Sequence, residues 1–357
     1  MKKIKVVHIV ESLGAGTQSH LQSLTDFFSN KNTSIINYIL FSSNREEFNK
    51  NTLNSFSKKV IFKEINMQRE ISLIKDIKSG IEIYKELKNI SPDVIHLHSS
   101  KAGIIGRFSS FFIKSKKLFY SPHGYSFMRL DVSSTKRYLF KIIEKTASLF
   151  LGGKTIACGD TEFLHAKNIG KAELIRNGID LDYLTPFFFK PKNKKLTIGI
   201  IGRITYARNP KLFNEIANKF SNYNFIWIGD GELRNEINAP NIAITGWIDN
   251  KKDAIEKLSN IDIYLHPSLW EGLPIAILEA MALQKPVIAT NIIGNKDIVK
   301  HNETGFLFND IKELDAHFKF LESEENREKM GQKGLKRCQD LFNSNENFKK
   351  LETLYLS

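Results

Sequence analysis

The sequence predicts an α/β protein built from two doubly wound domains, and three observations carry that reading. Short apolar, β-rich runs alternate with helical patterns from end to end, the pattern of parallel sheets covered by helices on both faces. The alternation restarts near residue 195, just after the proline-broken basic stretch Pro186–Lys195. The chain has 357 residues, enough for two domains, since a domain takes about 100–200.

Taken in order, Ile4–Val10 is the first strand. It resembles a signal peptide only in its flanking lysines, because its apolar part is short and Glu11 interrupts it before any cleavage-like site. Ile35–Phe41, Val94–Leu97 and Leu118–Ser121 follow as β-branched and aromatic runs, with Leu73–Lys88 as a helical stretch between the second and third. The second half opens on the strand Thr197–Ile201. The helix Lys211–Phe220, the strands Phe225–Ile228 and Ile261–Leu265, the helix Ile275–Leu283 and the strand Pro286–Ala289 come next. Pro274 stands where the helix Ile275–Leu283 begins, a position that tolerates the missing amide hydrogen. The final helical stretch, Asn326–Leu356, is long enough to return to the first domain. The expected domains are 1–190 and 191–357, with a terminal helix of about 340–357 packing back on the first. Two such halves facing each other form a cleft, and open α/β sheets bind ligands beyond the carboxyl ends of their strands.

Composition narrows the function classes. Hydrophobic residues make up 41% and charged residues 25%, an ordinary globular balance. The net charge of +13 suits an anionic ligand, nucleic acid or an anionic membrane surface. Nucleic acid has only that charge in its favour, because the chain has no zinc-finger or RNP-like aromatic motif. Cys158 and Cys338 match no metal spacing and read as reduced thiols. Without an apolar run of about 18 residues, the protein is expected to be cytoplasmic, with any membrane contact peripheral. Phe111–Lys117 and Phe187–Lys190 mix aromatic and basic residues as an interfacial contact would.

The segment Glu271-Gly272-Leu273-Pro274-Ile275-Ala276-Ile277-Leu278-Glu279 carries the most chemistry. Glu271 lies at the mouth of a helix and Glu279 about a turn and a half inside it, so their carboxylates should be on the order of 10 Å apart. A retaining glycosidase pair sits closer, at about 5–5.5 Å. The wider spacing suits the two ends of an elongated ligand, such as the sugar and ribose of a nucleotide sugar, with helix amides offered to a diphosphate between them. Glu279 interrupts an apolar face, and a buried carboxylate needs a hydrogen-bond donor or a charge partner.

Four other groups join it. Gly202-Arg203 and Arg208-Asn209 place two guanidiniums after a strand and before a helix, where phosphate should lie. Gly14 and Gly16 follow the first strand and allow a tight turn or a close ligand approach. Pro122-His123-Gly124 puts a histidine at a strand end, able to bind a sugar hydroxyl or stabilise developing charge. His96 and His98 alternate on a strand and point the same way. With no nearby Asp, Glu or Cys to complete a metal site, His98 and Lys101 are read as cleft-facing groups on the acceptor side. No Asp-x-Asp-like pair follows a strand, so no metal is expected on the diphosphate. Asn177-Gly178-Ile179-Asp180 is a turn.

In this order the motifs resemble the large retaining glycosyltransferase family 4, which has the GT-B fold, over nearly the whole chain. The resemblance implies that Arg203 and Arg208 hold the donor diphosphate and that Glu279 binds the ribose. Glu271 and the amides of Gly272, Leu273 and Pro274 would hold the sugar. It also implies His123 at the reacting centre, Gly14, Gly16 and Gly202 against the donor, and the Gly246-Trp247-Ile248 loop beside the base. That family usually has lysine where this chain has Arg208, which turns a point-charge contact into a forked one. The stretch from His96 to Gly103, with Pro122–Phe127, is similar to members that build capsule, O-antigen or other surface polysaccharides on lipid carriers. The implied activity is retaining, metal-independent transfer without a cofactor. The sugar comes from a nucleotide sugar, UDP-linked and N-acetylated among the candidates, and goes to a lipid-linked or polysaccharide acceptor. A nucleotide-sugar epimerase or hydrolase on the same scaffold is the alternative enzyme reading, and a nucleic-acid binder the remote one.

Overall fold

The computed structural model describes residues 3–30, 34–44, 48, 51–68, 70–113, 117–129, 131–191 and 194–357. Lys114, Ser115 and Lys116 of the aromatic–basic segment, and Lys192 and Asn193 of the expected linker, lie outside the described residues. The chain divides into two compact units, Met1–Asn177 with Ser344–Ser357, and Gly178–Asn343. The division falls within the Asn177-Gly178 turn, ahead of the 190/191 boundary expected from the proline-broken stretch. That stretch belongs to the second unit, where Lys285 donates to the Phe189 carbonyl at 2.9 Å and Lys190 pairs with Glu328 at 2.6 Å.

In the first unit the strands are β1 Ile4–Val10, β2 Ile35–Phe41, β3 Ile61–Glu64, β4 Val94–His98, β5 Lys117–Ser121, β6 Lys154–Ala157 and β7 Ala172–Leu174. Among the described residues they form a seven-stranded sheet in the order β3-β2-β1-β4-β5-β6-β7, and every pairing in it is parallel. The second unit has β8 Thr197–Ile201, β9 Asn224–Ile228, β10 Ile242–Ile244, β11 Ile263–His266, β12 Val287–Thr290 and β13 Gly305–Phe308. They pair, again in parallel, in the order β10-β9-β8-β11-β12-β13. The doubly wound reading therefore holds in each unit. β3, β6, β7, β10 and β13 were not among the expected strands. Each is three or four residues long, too short for a period-2 pattern to stand out.

The strand order reverses between β1 and β4 and again between β8 and β11, so each sheet has a switch point where its adjoining loops part. In the second unit Ile198, Ile200, Ile263, Leu265, Val287 and Ile288 are fully buried. Ile277, Leu278 and Met281 of the helix Ile275–Ala282 are fully buried as well. This apolar packing fixes the carboxyl ends of β8 and β11. The helical stretch expected over Asn326–Leu356 is two helices, Glu324–Leu341 and Ser344–Leu356. The break coincides with the return of the chain to the first unit, where Phe348, Leu351 and Tyr355 join a core with Val94 and Phe119.

Candidate active site

β8 delivers Gly202 at its carboxyl end with φ +136°, a conformation that favours glycine. A Cβ there would sit in ordinary van der Waals contact with the guanidinium carbon of Arg208, at 3.6 Å, so the backbone conformation and not the space around it calls for glycine. The Trp227 indole donates to the Gly202 carbonyl at 2.8 Å and anchors the turn. Arg208 closes a short 3-10 turn, Tyr206–Arg208, and Asn209 caps the following helix through Leu212. Arg203 is partly exposed and pairs with Glu232 at 3.1 Å. Such a surface pair is worth about 0–1 kcal/mol and is readily exchanged for a phosphate.

β11 ends at His266, and the next turn carries Ser268 and Glu271. Arg208 Nη1 lies 3.2 Å from Glu271 Oε1. His266 Nε2 lies 3.0 Å from the same oxygen, and Ser268 donates its hydroxyl to it at 2.9 Å. An ionised carboxylate only accepts, so Nε2 carries the imidazole hydrogen and Nδ1 accepts from the Tyr264 hydroxyl at 3.2 Å. Arg208 also approaches Nε2, at 3.0 Å, but with Nε2 donating, the guanidinium bonds to Glu271. Burial works against the charge on Glu271. The Arg208 guanidinium, His266 and Ser268 outweigh it and hold the pKa at about 2. Burial lowers the His266 pKa despite the neighbouring carboxylate, so His266 is a neutral donor. The result is an ionised acceptor fixed from three sides beside a guanidinium with further N–H groups to offer. Gly294, at φ +89°, brings its backbone against this turn, where a Cβ would meet the Gly272 carbonyl at 2.7 Å.

The helix Ile275–Ala282 begins directly after Pro274, which occupies its N-cap and offers no side-chain cap. The Ile277 N–H turns back to the Pro274 carbonyl at 3.1 Å, which leaves the Ile275 and Ala276 amides to meet an anion. The Leu273 and Pro274 side chains are buried, so this stretch meets a ligand through its backbone. Glu279 is mostly buried, and burial raises its pKa, with Lys251 opposing. Lys251 Nζ stands 3.8 Å away, too far for a close hydrogen bond. The same ammonium lies 5.3 Å above the Tyr183 ring. Glu279 and Lys251 together offer an acceptor and a donor, a pairing that fits a diol. Gly246 turns at φ +76°, Trp247 is exposed and Ile248 half-buried.

The first unit differs more from expectation. His98 is fully buried, not exposed to an acceptor. Its Nε2 meets His8 Nδ1 at 3.1 Å and its Nδ1 meets His123 Nε2 at 3.0 Å. Lys101 is held by Asp76 at 2.8 Å and by the Glu70 carbonyl at 2.5 Å. It therefore does not present a free ammonium. His96 bonds Tyr355 and Ser121, and the His20 ring lies 5.0 Å from that of His123. Burial lowers the pKa of His8 and of His20 to about 4 and pushes those of His96, His98 and His123 well down, so the cluster is neutral. His123 is half-buried and its backbone has φ +53°, unusual for a residue with a Cβ. Two triads, His8-His96-His98 and His20-His98-His123, bring ligating nitrogens within 4.8 Å of one another. The partners that sequence could not supply for His96 and His98 are histidines from β1, from the helix Ala15–Asn30 and from the Pro122–Gly124 loop. Gly14 precedes that helix and Gly16 lies in its first turn, with nothing within 4 Å of a Cβ on Gly16.

Sequence reasoning thus placed Arg203, Arg208, Glu271 and Glu279 on one unit. It missed His266, Ser268, Lys251, His8 and His20. His266 directly follows the expected strand Ile261–Leu265, and a histidine at a strand end carries the same signal as His123. Lys251 had no signal, because it reaches Glu279 from another helix.

Residues 185–337 match the family described as glycosyl transferases group 1. The chain is 32% identical over 285 residues to the UDP-Gal:α-D-GlcNAc-diphosphoundecaprenol α-1,3-galactosyltransferase of Escherichia coli, covering 71% of each chain. It is 28% identical to the capsular polysaccharide biosynthesis glycosyltransferase CapM of Staphylococcus aureus, covering 82% of this chain and 83% of that one. Among solved structures it resembles the Anabaena protein HepE in complex with UDP and glucose. The TM-score is 0.80 at 15% identity, over 99% of this chain and 100% of that one. This last likeness speaks to the GT-B fold.

Proposed function

The chain belongs to the group 1 glycosyl transferases, and from that membership we propose that it moves a hexose from a UDP-linked donor to a lipid-linked glycan acceptor in bacterial surface-polysaccharide synthesis. The observation that carries the site assignment is the Arg208–Glu271–His266–Ser268 network at the switch point of the second sheet. The relatives named above, one acting on a diphosphoundecaprenol-linked sugar and one in capsule synthesis, support the acceptor class. Family membership favours transfer over the epimerase and nucleic-acid readings.

In this reading the donor diphosphate lies against Arg203, Arg208 and the Ile275 and Ala276 amides at the mouth of the helix Ile275–Ala282. As the bond to the sugar breaks, negative charge grows on the diphosphate. The guanidiniums are then worth more in the transition state than in the ground state, which is how such groups accelerate a reaction. Glu271 is ionised and fixed, so it accepts from sugar hydroxyls and aligns the ring. Glu279, with Lys251 beside it, binds the ribose diol. An oxygen of the departing phosphate takes the acceptor proton on the face where the bond breaks, which retains the anomeric configuration without a metal or other cofactor. In the first unit, His123, braced by His98, is the residue to which the family resemblance points. The reaction takes place at the cytoplasmic face of the membrane that holds the acceptor.

A panel of nucleotide sugars tests this, first without acceptor and then with a polyprenyl-diphosphate sugar. One UDP-hexose should hydrolyse slowly alone and be consumed faster with acceptor, and the panel separates plain from N-acetylated donors. Equal consumption with and without acceptor, across acceptors, would point to a hydrolase.

A further inference from the structure

Three helices on the first unit lie side by side: Leu73–Ile90, Ser100–Phe111 and Ser134–Leu151. Ser109 donates to the Gly80 carbonyl at 2.8 Å, tying the first to the second. The Arg107–Glu144 ion pair at 3.3 Å ties the second to the third. On the first helix Leu73, Ile74, Ile77 and Ile81 are exposed, Leu73 by 77%. Their spacing puts them on one side. On the third, Tyr138, Leu139, Ile142, Ile143, Leu149 and Phe150 are exposed in the same way, Leu149 by 73%. Phe108, Phe111 and Phe112 stand out between them. Ring contacts join the patch, with Tyr84 and Phe112 centroids 6.4 Å apart and Phe108 and Phe112 6.0 Å apart.

An amphipathic helix of a globular protein buries its apolar stripe, and an outward stripe marks an interaction surface. The charges identify the partner. Both outer helices lie wholly within the described residues, and no exposed position on either is acidic. Lys75, Lys78, Lys85 and Lys88 flank the stripe on one, and Lys136, Lys141 and Lys145 on the other. Two copies of so basic a face would repel, whereas an apolar stripe rimmed by lysines suits an anionic bilayer, with the stripe among the acyl chains and the ammoniums at headgroup level. We infer that this face of the first unit is a membrane-docking surface selective for anionic lipid. It deepens the reading of a lipid-linked acceptor and rests on it for its purpose, but its evidence is separate. Of the two segments singled out in the sequence, the first contributes Phe111 and Phe112 to this face. Lys190 of the other is paired with Glu328 in the second unit.

Vesicle flotation of the full chain tests it, with vesicles of phosphatidylcholine alone and of phosphatidylcholine mixed with phosphatidylglycerol. The protein should float with the mixed vesicles, bind the neutral ones weakly, and lose binding as salt rises. Ile77→Glu with Ile81→Glu, Leu149→Glu with Phe150→Glu, and Lys78→Glu with Lys85→Glu should each reduce partition at least about tenfold. Acceptor-free donor hydrolysis should not change in any of the three. A parent that fails to float, or variants that float as well as the parent, would overturn the surface. So would vesicle-free self-association in sedimentation velocity that the same substitutions abolish. Loss of donor hydrolysis in the parent would count against the proposed function and leave the flotation result standing.

Discussion

Glu271 and Glu279 belong to one motif, yet their surroundings act on them in opposite directions. Arg208, His266 and Ser268 overcome the burial of Glu271 and keep its pKa at about 2, whereas burial raises that of Glu279 with only a distant Lys251 to offset it. Arg203→Ala should lower turnover by about 10²–10³-fold, because it removes stabilisation that grows as the diphosphate leaves. Glu271→Ala should reduce rate and weaken discrimination between donor sugars. Glu279→Ala should chiefly weaken binding of free UDP, since a ribose contact serves ground and transition states alike. Steady-state kinetics and nucleotide titrations on the three variants separate these outcomes. Normal binding and turnover in all of them would make the motif structural. Arg208→Ala should also leave the burial of Glu271 unopposed by its main partner. Its pKa then rises, and the acid limb of the rate profile moves to higher pH than in the parent. The motif's acids were legible because spacing and the flanking proline survive in one dimension. Their partners were not, because side chains that meet across β8, β11 and the helix Lys251–Ser259 leave no local pattern.

Among the elements, the strands at each sheet's switch point carry the clustered polar side chains. β8 and β11 present Arg208 and Glu271, while β1 and β4 present His8, His96 and His98. The alternation of His96 and His98 was visible, but the parallel register that sets His8 opposite His96 was not, because it depends on pairing between distant residues. The histidine cluster gives the first unit a defined acid sensitivity. Burial is the main cause of the low pKa values of His8 and His20, with the Asn37 hydrogen bond opposing it at His8. The unfolded chain takes up protons near pH 6.5, and the folded one only near pH 4. More protons bind to the unfolded state in that window, so stability is full above it and falls as pH drops from about 6.5 towards 4. Loss of His8 alone as a destabilising group should recover on the order of 3 kcal/mol at the low end. Urea unfolding of the parent and of His8→Gln between those pH values checks this. A parent whose midpoint does not shift across the window would refute it.

For the whole molecule, two doubly wound units were legible from strand–helix alternation and from the restart near residue 195. The boundary was misplaced because the visible punctuation, Pro186–Lys195, lies within the second unit, and the division falls at an ordinary turn. The return of the terminal helix to the first unit was expected from its length. Its role is specific: Phe348, Leu351 and Tyr355 are buried with Val94 and Phe119, and Tyr355 bonds His96. Deleting Ser344–Ser357 should lower the thermal midpoint of the first unit and expose His96, while the second unit keeps its own transition. Differential scanning calorimetry would resolve the two, and an unchanged first transition would contradict the packing account. Metal-independent retaining transfer, as proposed, is checked by running the reaction in EDTA with a UDP-hexose and a polyprenyl-diphosphate sugar, and reading the product's anomeric proton by NMR. Full transfer and the donor's own anomeric configuration in the product are expected. An inverted product, or no transfer until a divalent ion is restored, would contradict it.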